Sequence, residues 1–155
     1  MPATIRLQHE DFDVAAEQAK LARGRSDIGA LVAFTGICRA GAEGVTSLTL
    51  ECYPAMAEEE IARHVAEAER RWPLLGVTVI HRYGRLVPGD NIVLVIAASA
   101  HRGEAFAAAE FLMDYLKTQA PFWKKEETAG KASWVDAKET DSAAAERWNK
   151  RDAAE

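Results

Sequence analysis

Cysteine is scarce in this chain, with two residues, Cys38 and Cys52, in 155. Two widely separated thiols make no disulfide framework, and their spacing fits no common zinc pattern. Histidine is also sparse: four residues, none at the helical spacing that grips a metal, so neither a metal site nor a cofactor is expected. Long apolar runs are missing. The longest, Ile92–Ala98, falls far short of the roughly 20 residues a membrane span needs. The opening Met1-Pro2-Ala3-Thr4-Ile5-Arg6 has no apolar stretch of the signal-peptide kind. The expectation is a cytoplasmic protein with reduced thiols and no membrane contact. An excess of positive charge is missing too. Lys and Arg number 19 against 24 Asp and Glu, a formal charge of −5. Nucleic-acid binders rest on many Lys/Arg–phosphate contacts, so that class is excluded.

What is present is enough for a core. Hydrophobic residues make up 48% of the chain, although 30 of the 155 are alanine, which thins the supply of large side chains. Twelve aromatics and a 28% charged fraction exclude a disordered chain. A domain of this length folds without staples. No repeat, low-complexity tract or linker divides it, so a single domain over residues 1–148 is expected, with 149–155 as a polar tail that frays or docks on a partner.

Two amphipathic helices stand out. In Ala57–Trp72, residues Ile61, Val65, Ala68 and Trp72 form one helical stripe, and Pro73 stops it. In Glu104–Thr118, Phe106, Ala109, Met113 and Leu116 repeat the pattern ahead of Pro121. Shorter helices are predicted at Asp13–Ala22, closed by Gly24, and at Asp141–Trp148. Strands are predicted at Ala30–Phe34, through Leu48, Leu50 and Cys52, around Val77 and Val79, and at Ile92–Ala98. The turn Pro88-Gly89-Asp90 links the strand around Val77 and Val79, through Leu86, to the last of these and implies an antiparallel pair. Two short strands, Phe122–Glu127 and Ser133–Ala137, are predicted to join through Ala129-Gly130-Lys131. Elements interleaved without a strict βαβ rhythm point to an α+β fold: a mixed or antiparallel sheet with packed helices.

Three segments carry candidate chemistry. Ser99-Ala100-His101-Arg102 lies between the most apolar strand and a strong helix, where free N–H groups and a guanidinium suit an anion; the competing reading is a capping His101 and a solvated Arg102. Lys117 ends that helix, and beyond Pro121 an extended chain puts Lys124 and Glu126 on one face and Trp123 and Lys125 on the other. Lysines walled by aromatics can hold an anion or become a base or nucleophile; the competing reading is an ordinary charged hairpin. Phe34-Thr35-Gly36-Ile37-Cys38-Arg39 runs into a glycine-rich loop and adds a third cation. Cys38 has no His–Asp constellation, so a small buried thiol is preferred over a nucleophile. His9 and His64 read as surface residues, His81 as a satisfied, half-buried imidazole, and Met56 and Met113 as core filler.

In order and spacing these segments resemble the large, catalytic subunit of molybdopterin synthase, from about Gly29 to Trp148. The resemblance is carried by Phe34-Thr35-Gly36 with Arg39, Leu50-Glu51-Cys52-Tyr53-Pro54-Ala55-Met56, Arg71-Trp72-Pro73, and Val79-Ile80-His81-Arg82 with Gly84. Pro88-Gly89-Asp90, Ser99-Ala100-His101-Arg102, Met113-Asp114-Tyr115-Leu116-Lys117 and Ala120-Pro121-Phe122-Trp123-Lys124-Lys125-Glu126 complete it.

The resemblance implies an α/β hammerhead fold. It also implies a sulfurtransferase that builds the dithiolene of molybdopterin on cyclic pyranopterin monophosphate. The sulfur would come from the C-terminal Gly-Gly thiocarboxylate of a small ubiquitin-like subunit. The implied assembly is a heterotetramer around a homodimer of large subunits. The implied substrate pocket falls on Ile37, Cys38, Arg39, His101, Arg102, Lys117, Lys124, Lys125 and Glu126, with Lys117 and Lys124 catalytic. In that scheme His101, Arg102 and Arg39 hold the phosphate, Lys117 works at the thiocarboxylate carbonyl, and Glu126 fixes Lys124. Ile37 stands where the family often has a basic residue, Cys38 where it usually has an aliphatic one, and Gly103 where it has a small hydroxyl residue. A binding module for a ubiquitin-like tail and a partner-independent phosphate-ester enzyme are the competing functions.

Overall fold

The computed structural model describes residues 3–129, 131–135 and 139–154 of the chain. The elements follow in the order β1 (Thr4–Gln8), α1 (Val14–Ala22), β2 (Ala30–Ile37), β3 (Val45–Glu51), α2 (Pro54–Arg71) and β4 (Leu74–Arg82). They continue with β5 (Gly84–Leu86), β6 (Asn91–Ser99), α3 (Arg102–Thr118), β7 (Trp123–Thr128), β8 (Lys131–Val135) and α4 (Glu139–Ala154). Two four-stranded sheets result, ordered β1-β4-β6-β2 and β5-β3-β7-β8. Among the described residues only the β1–β4 pair is parallel, and the other ladders are antiparallel. The α+β expectation holds.

The first sheet is covered on both faces, which explains the unbroken apolar run in β6. Val93, Val95 and Ala97 face Ile61 and Val65 of α2, Ala108 and Leu112 of α3, and Trp148 of α4. Leu94 and Ile96 point the other way, packing with Ile80 and with Leu21 of α1. A strand buried on two sides has no solvent face to signal by alternation. Gly29 is required beside this sheet, because a Cβ there would lie 2.2 Å from the carbonyl oxygen of Ala100.

Several boundaries differ from the sequence expectations. The segment Thr4–Gln8 is a strand, β1, although no strand was anticipated there; its Ile5/Leu7 alternation is only two residues deep. Helix α2 starts at Pro54 rather than Ala57, since a proline at the first helical position gives up an N–H that has no intrahelical partner. Helix α4 runs on to Ala154, past the expected end at Trp148, through a segment rich in good helix formers. The Pro88 turn, with Gly89 at φ 99°, leads from β5 in one sheet into β6 in the other. The expected antiparallel pairing of the Val77/Val79 strand with Ile92–Ala98 is present as β4 with β6, and β2 pairs antiparallel with the other edge of β6. In the predicted hairpin the strands are β7 and β8, and Gly130 and Ala137 lie outside the described residues.

Three side chains depart from their sequence readings. Phe106, placed on the apolar stripe of α3, is 60% exposed, while Ala109 and Met113 of that stripe are buried. Met56 is 43% exposed rather than core filler, because it sits in the first turn of α2, away from the buried stripe. His64 is not a plain surface residue: it is half-buried and stacks on Tyr115 of α3, since it flanks the Ile61/Val65/Ala68 stripe.

Candidate active site

A cavity of about 630 Å³ opens where the two sheets meet the C-terminal end of α3. Four elements supply its chemistry. The end of β2 and the loop after it bring Phe34, Ile37 and Arg39; β4 brings His81; α3 brings Met113 and Lys117; β7 brings Trp123 and Lys124. Trp134 of β8 and Asp141 of α4 complete the rim.

The β3–β7 ladder explains the position of Lys124. Its Cα pairs with Leu50 and that of Glu126 with Leu48, whose side chains are buried. The period of two therefore sends Lys124 and Glu126 to the same, inward side. Their charged ends are 3.7 Å apart, an ion pair that holds Lys124 at the wall. Lys125 points away and lies 5.8 Å from the centre of the Trp134 ring. Lys117 occupies the last turn of α3, where the helix dipole favours a cation.

Cys38 is behind this wall rather than in the cavity. It is 4% exposed, packed with Leu48, Leu50 and Leu86. Its backbone is tied on both sides, donating to the Asp90 carbonyl at 2.8 Å and accepting from Gly89 at 2.7 Å. Burial pushes its thiol pKa up, with Asp90 adding to the effect, so it is held as a thiol and is a poor nucleophile.

Arg39, Ile37, Lys117 and Lys124 are thus brought together in one chain. His101 and Arg102 are not. They are exposed at the N-terminal end of α3, about 22 Å along the axis from Lys117 at 1.5 Å per residue. His101 holds the N-cap position but makes no side-chain capping bond; Ser99 instead donates its hydroxyl to the His101 carbonyl.

His81 is the cavity residue that sequence reasoning undervalued. It is 6% exposed and stacked on Phe122, ring centres 4.0 Å apart at 20°. Burial pushes its pKa down to about 4, and the nearby Lys117 ammonium adds to the depression. Its Nδ1 lies 2.8 Å from the Arg82 carbonyl oxygen, as a satisfied imidazole requires, but the ring is buried rather than half-buried. The available signal was a histidine at the end of a strand whose inward neighbours are apolar. Among the described residues, no cluster of three or more His, Cys, Asp or Glu side chains could hold a metal ion.

A family model described as MoaE protein matches residues 7–119. The chain belongs to the MoaE family. Among relatives of this MoaE-family chain, a Mesorhizobium japonicum protein named molybdopterin synthase catalytic subunit is 60% identical over 147 residues, covering 94% of this chain and 92% of the relative. A solved MoaE protein from Burkholderia ambifaria superposes with a TM-score of 0.82 at 51% identity, covering 95% of this chain and 98% of that one. A Helicobacter pylori chain matches in fold with a TM-score of 0.68 at 20% identity, covering 90% and 92%. It was solved within a complex of subunits 1 and 2 of molybdopterin-converting factor.

Proposed function

We propose that this chain is the catalytic subunit of a molybdopterin synthase. It transfers sulfur from the C-terminal thiocarboxylate of a small ubiquitin-like subunit to cyclic pyranopterin monophosphate. The observation that carries the reading is the convergence of Arg39, Lys117 and Lys124 on one cavity walled by Phe34, Phe122 and Trp123. Aromatic walls suit a flat pterin. Three cations suit its cyclic phosphate and a thiocarboxylate arriving beside it, and in a partly desolvated site each is worth more than in water. Arg39 offers two parallel donors to phosphate oxygens. Lys124, held by Glu126, orients the substrate, and Lys117 acts at the thiocarboxylate carbonyl as a base or transient acyl acceptor.

His101 and Arg102 join this chemistry from a second copy of the chain. The length of α3 separates them from Lys117 of their own protomer, so a homodimer that sets the start of one α3 beside the neighbour's cavity completes the phosphate site. The cytoplasm is the expected compartment; among the described residues, no helix is long and apolar enough to cross a membrane.

The test mixes the protein with a thiocarboxylated small subunit and cyclic pyranopterin monophosphate and assays for molybdopterin. Product that requires all three components, and that falls by on the order of 100-fold or more in Lys117→Ala, supports the reading. Partner binding without product would leave a binding module, and turnover without the partner would leave a phosphate-ester enzyme. Mixed dimers of Lys117→Ala and Arg102→Ala subunits test the shared site. Activity recovered above that of either parent supports it, because one of the two cavities is then intact.

A further inference from the structure

We infer that Asp141 is a specificity-determining residue of the cavity, its carboxylate accepting the paired N–H donors at the amino-pyrimidinone end of a pterin ring. The inference rests on the synthase reading and deepens it, by saying which end of the substrate each part of the cavity reads.

Helix geometry places Asp141. Asp141, Ala145 and Trp148 recur at intervals of four and three, so they share one face of α4. Trp148 shows where that face points. It is 3% exposed, its indole N–H donates to the Asp114 carboxylate at 2.6 Å, and its ring meets Phe111 edge-on at 5.6 Å. Arg147 pairs with the same Asp114 at 3.1 Å, and Arg71 of α2 donates to the Trp148 carbonyl oxygen at 3.1 Å. With that end of α4 fixed, the inward face carries Asp141 about 10 Å further along the axis, at the rim of the cavity. A carboxylate therefore stands on a stripe that is otherwise apolar. It makes no ion pair or side-chain hydrogen bond with another described residue.

Among the described residues that line the cavity, Asp141 is the only acidic one, while Arg39, Lys117 and Lys124 supply positive charge. A carboxylate repels the phosphate that these cations suit, so it faces a different part of the ligand. Cyclic pyranopterin monophosphate has such a part. Its pyrimidinone end, remote from the phosphate, presents the ring N3–H beside the 2-amino group. These two parallel donors match the two oxygens of a carboxylate. Trp134 lies on the same rim and offers the ring a flat wall. The cavity carries both signs of charge, each matched to one end of the substrate.

The test compares two rings that differ only at that end. 6-Carboxypterin keeps the 2-amino group; 6-carboxylumazine has a 2-oxo group in its place, which sets an acceptor against the carboxylate. Fluorescence titration of the wild-type protein is expected to favour the pterin by on the order of 10-fold or more. In Asp141→Asn the pterin should bind on the order of 10-fold more weakly and the preference should vanish. The Trp148 indole N–H resonance should stay in place in that variant, showing that α4 remains docked. In the three-component assay Asp141→Asn should raise KM by on the order of 10-fold with kcat within about twofold, because the contact is made equally in the ground and transition states. Equal affinity of the wild-type protein for the two rings, a preference retained in Asp141→Asn, or a loss confined to kcat would overturn the inference and leave the synthase reading standing. A wild-type protein that binds neither ring and makes no product would sink both.

Discussion

The two sheets obey different rules. Strand β6 of the first sheet is buried from Val93 to Ser99, with Leu94, Val95, Ile96, Ala97 and Ala98 fully enclosed. Strand β7 of the second reads Trp-Lys-Lys-Glu-Glu-Thr, and none of its residues is fully buried. Helices cover the first sheet on both faces, so its strands can be apolar throughout and set the rigidity of the domain. The second sheet has a small apolar cluster of Cys38, Leu48, Leu50 and Leu86, and beside it the cavity. The strand that contributes least to the core is thus the one that presents the charges. Burial costs an ion several kcal/mol unless it is paired, so working lysines belong where a cavity keeps them partly wet.

Paired substitutions sharpen this contrast most. Lys124→Ala is expected to reduce turnover by on the order of 100-fold. Its thermal midpoint should stay close to wild type, because a partly exposed ion pair contributes about 1 kcal/mol or less. Ile96→Ala should do the reverse, costing about 2–5 kcal/mol of stability while leaving turnover per folded molecule near wild type. Calorimetry and the three-component assay on the same preparations separate the two effects. A large loss of stability in Lys124→Ala would break the comparison.

Acid titration probes the boundary between the sheets. His81 keeps a pKa of about 4 in the folded chain against an ordinary value of 6.5. The unfolded chain therefore binds a proton that the native state refuses. Stability from this group is complete above about pH 6.5 and is lost as the pH falls toward 4, by up to about 3 kcal/mol. The His64 pKa is also lowered, chiefly by burial, and acts in the same direction. Urea midpoints measured from pH 7 to 4.5 should fall more steeply in wild type than in His81→Gln. Parallel curves would place the acid sensitivity elsewhere.

The smallest effect is expected at Cys38. A serine there should leave turnover within about twofold of wild type, because the thiol lies behind the cavity and is held protonated. The buried hydroxyl should cost about 1–3 kcal/mol. A large loss of turnover at unchanged stability would give the thiol a chemical role that its burial argues against.

Local pattern carried much of the fold. The stripe of Ile61, Val65 and Ala68 marked α2, the run Ile92–Ala98 marked a doubly covered strand, and Pro88-Gly89-Asp90 marked the chain reversal before it. Each signal is a periodicity or a backbone restriction that acts within a few residues, and so survives without knowledge of the rest of the chain. Where the local signal was short it failed: β1 has five residues and becomes a strand through its parallel pairing with β4.

The candidate site divides in the same way. Residue types alone singled out Arg39, Lys117 and Lys124, because cations beside aromatic and glycine-rich segments are chemically conspicuous. Their sharing one cavity depends on the pairing of β3 with β7 and on the packing of α3 over the first sheet, contacts between segments far apart in the chain. The same packing puts His101 and Arg102 at the opposite end of α3, sets Cys38 behind the wall, and brings His81 into the cavity that Lys117 lines. No periodicity encodes these relations, because they arise from side chains that meet only after the sheets and helices have closed around the core.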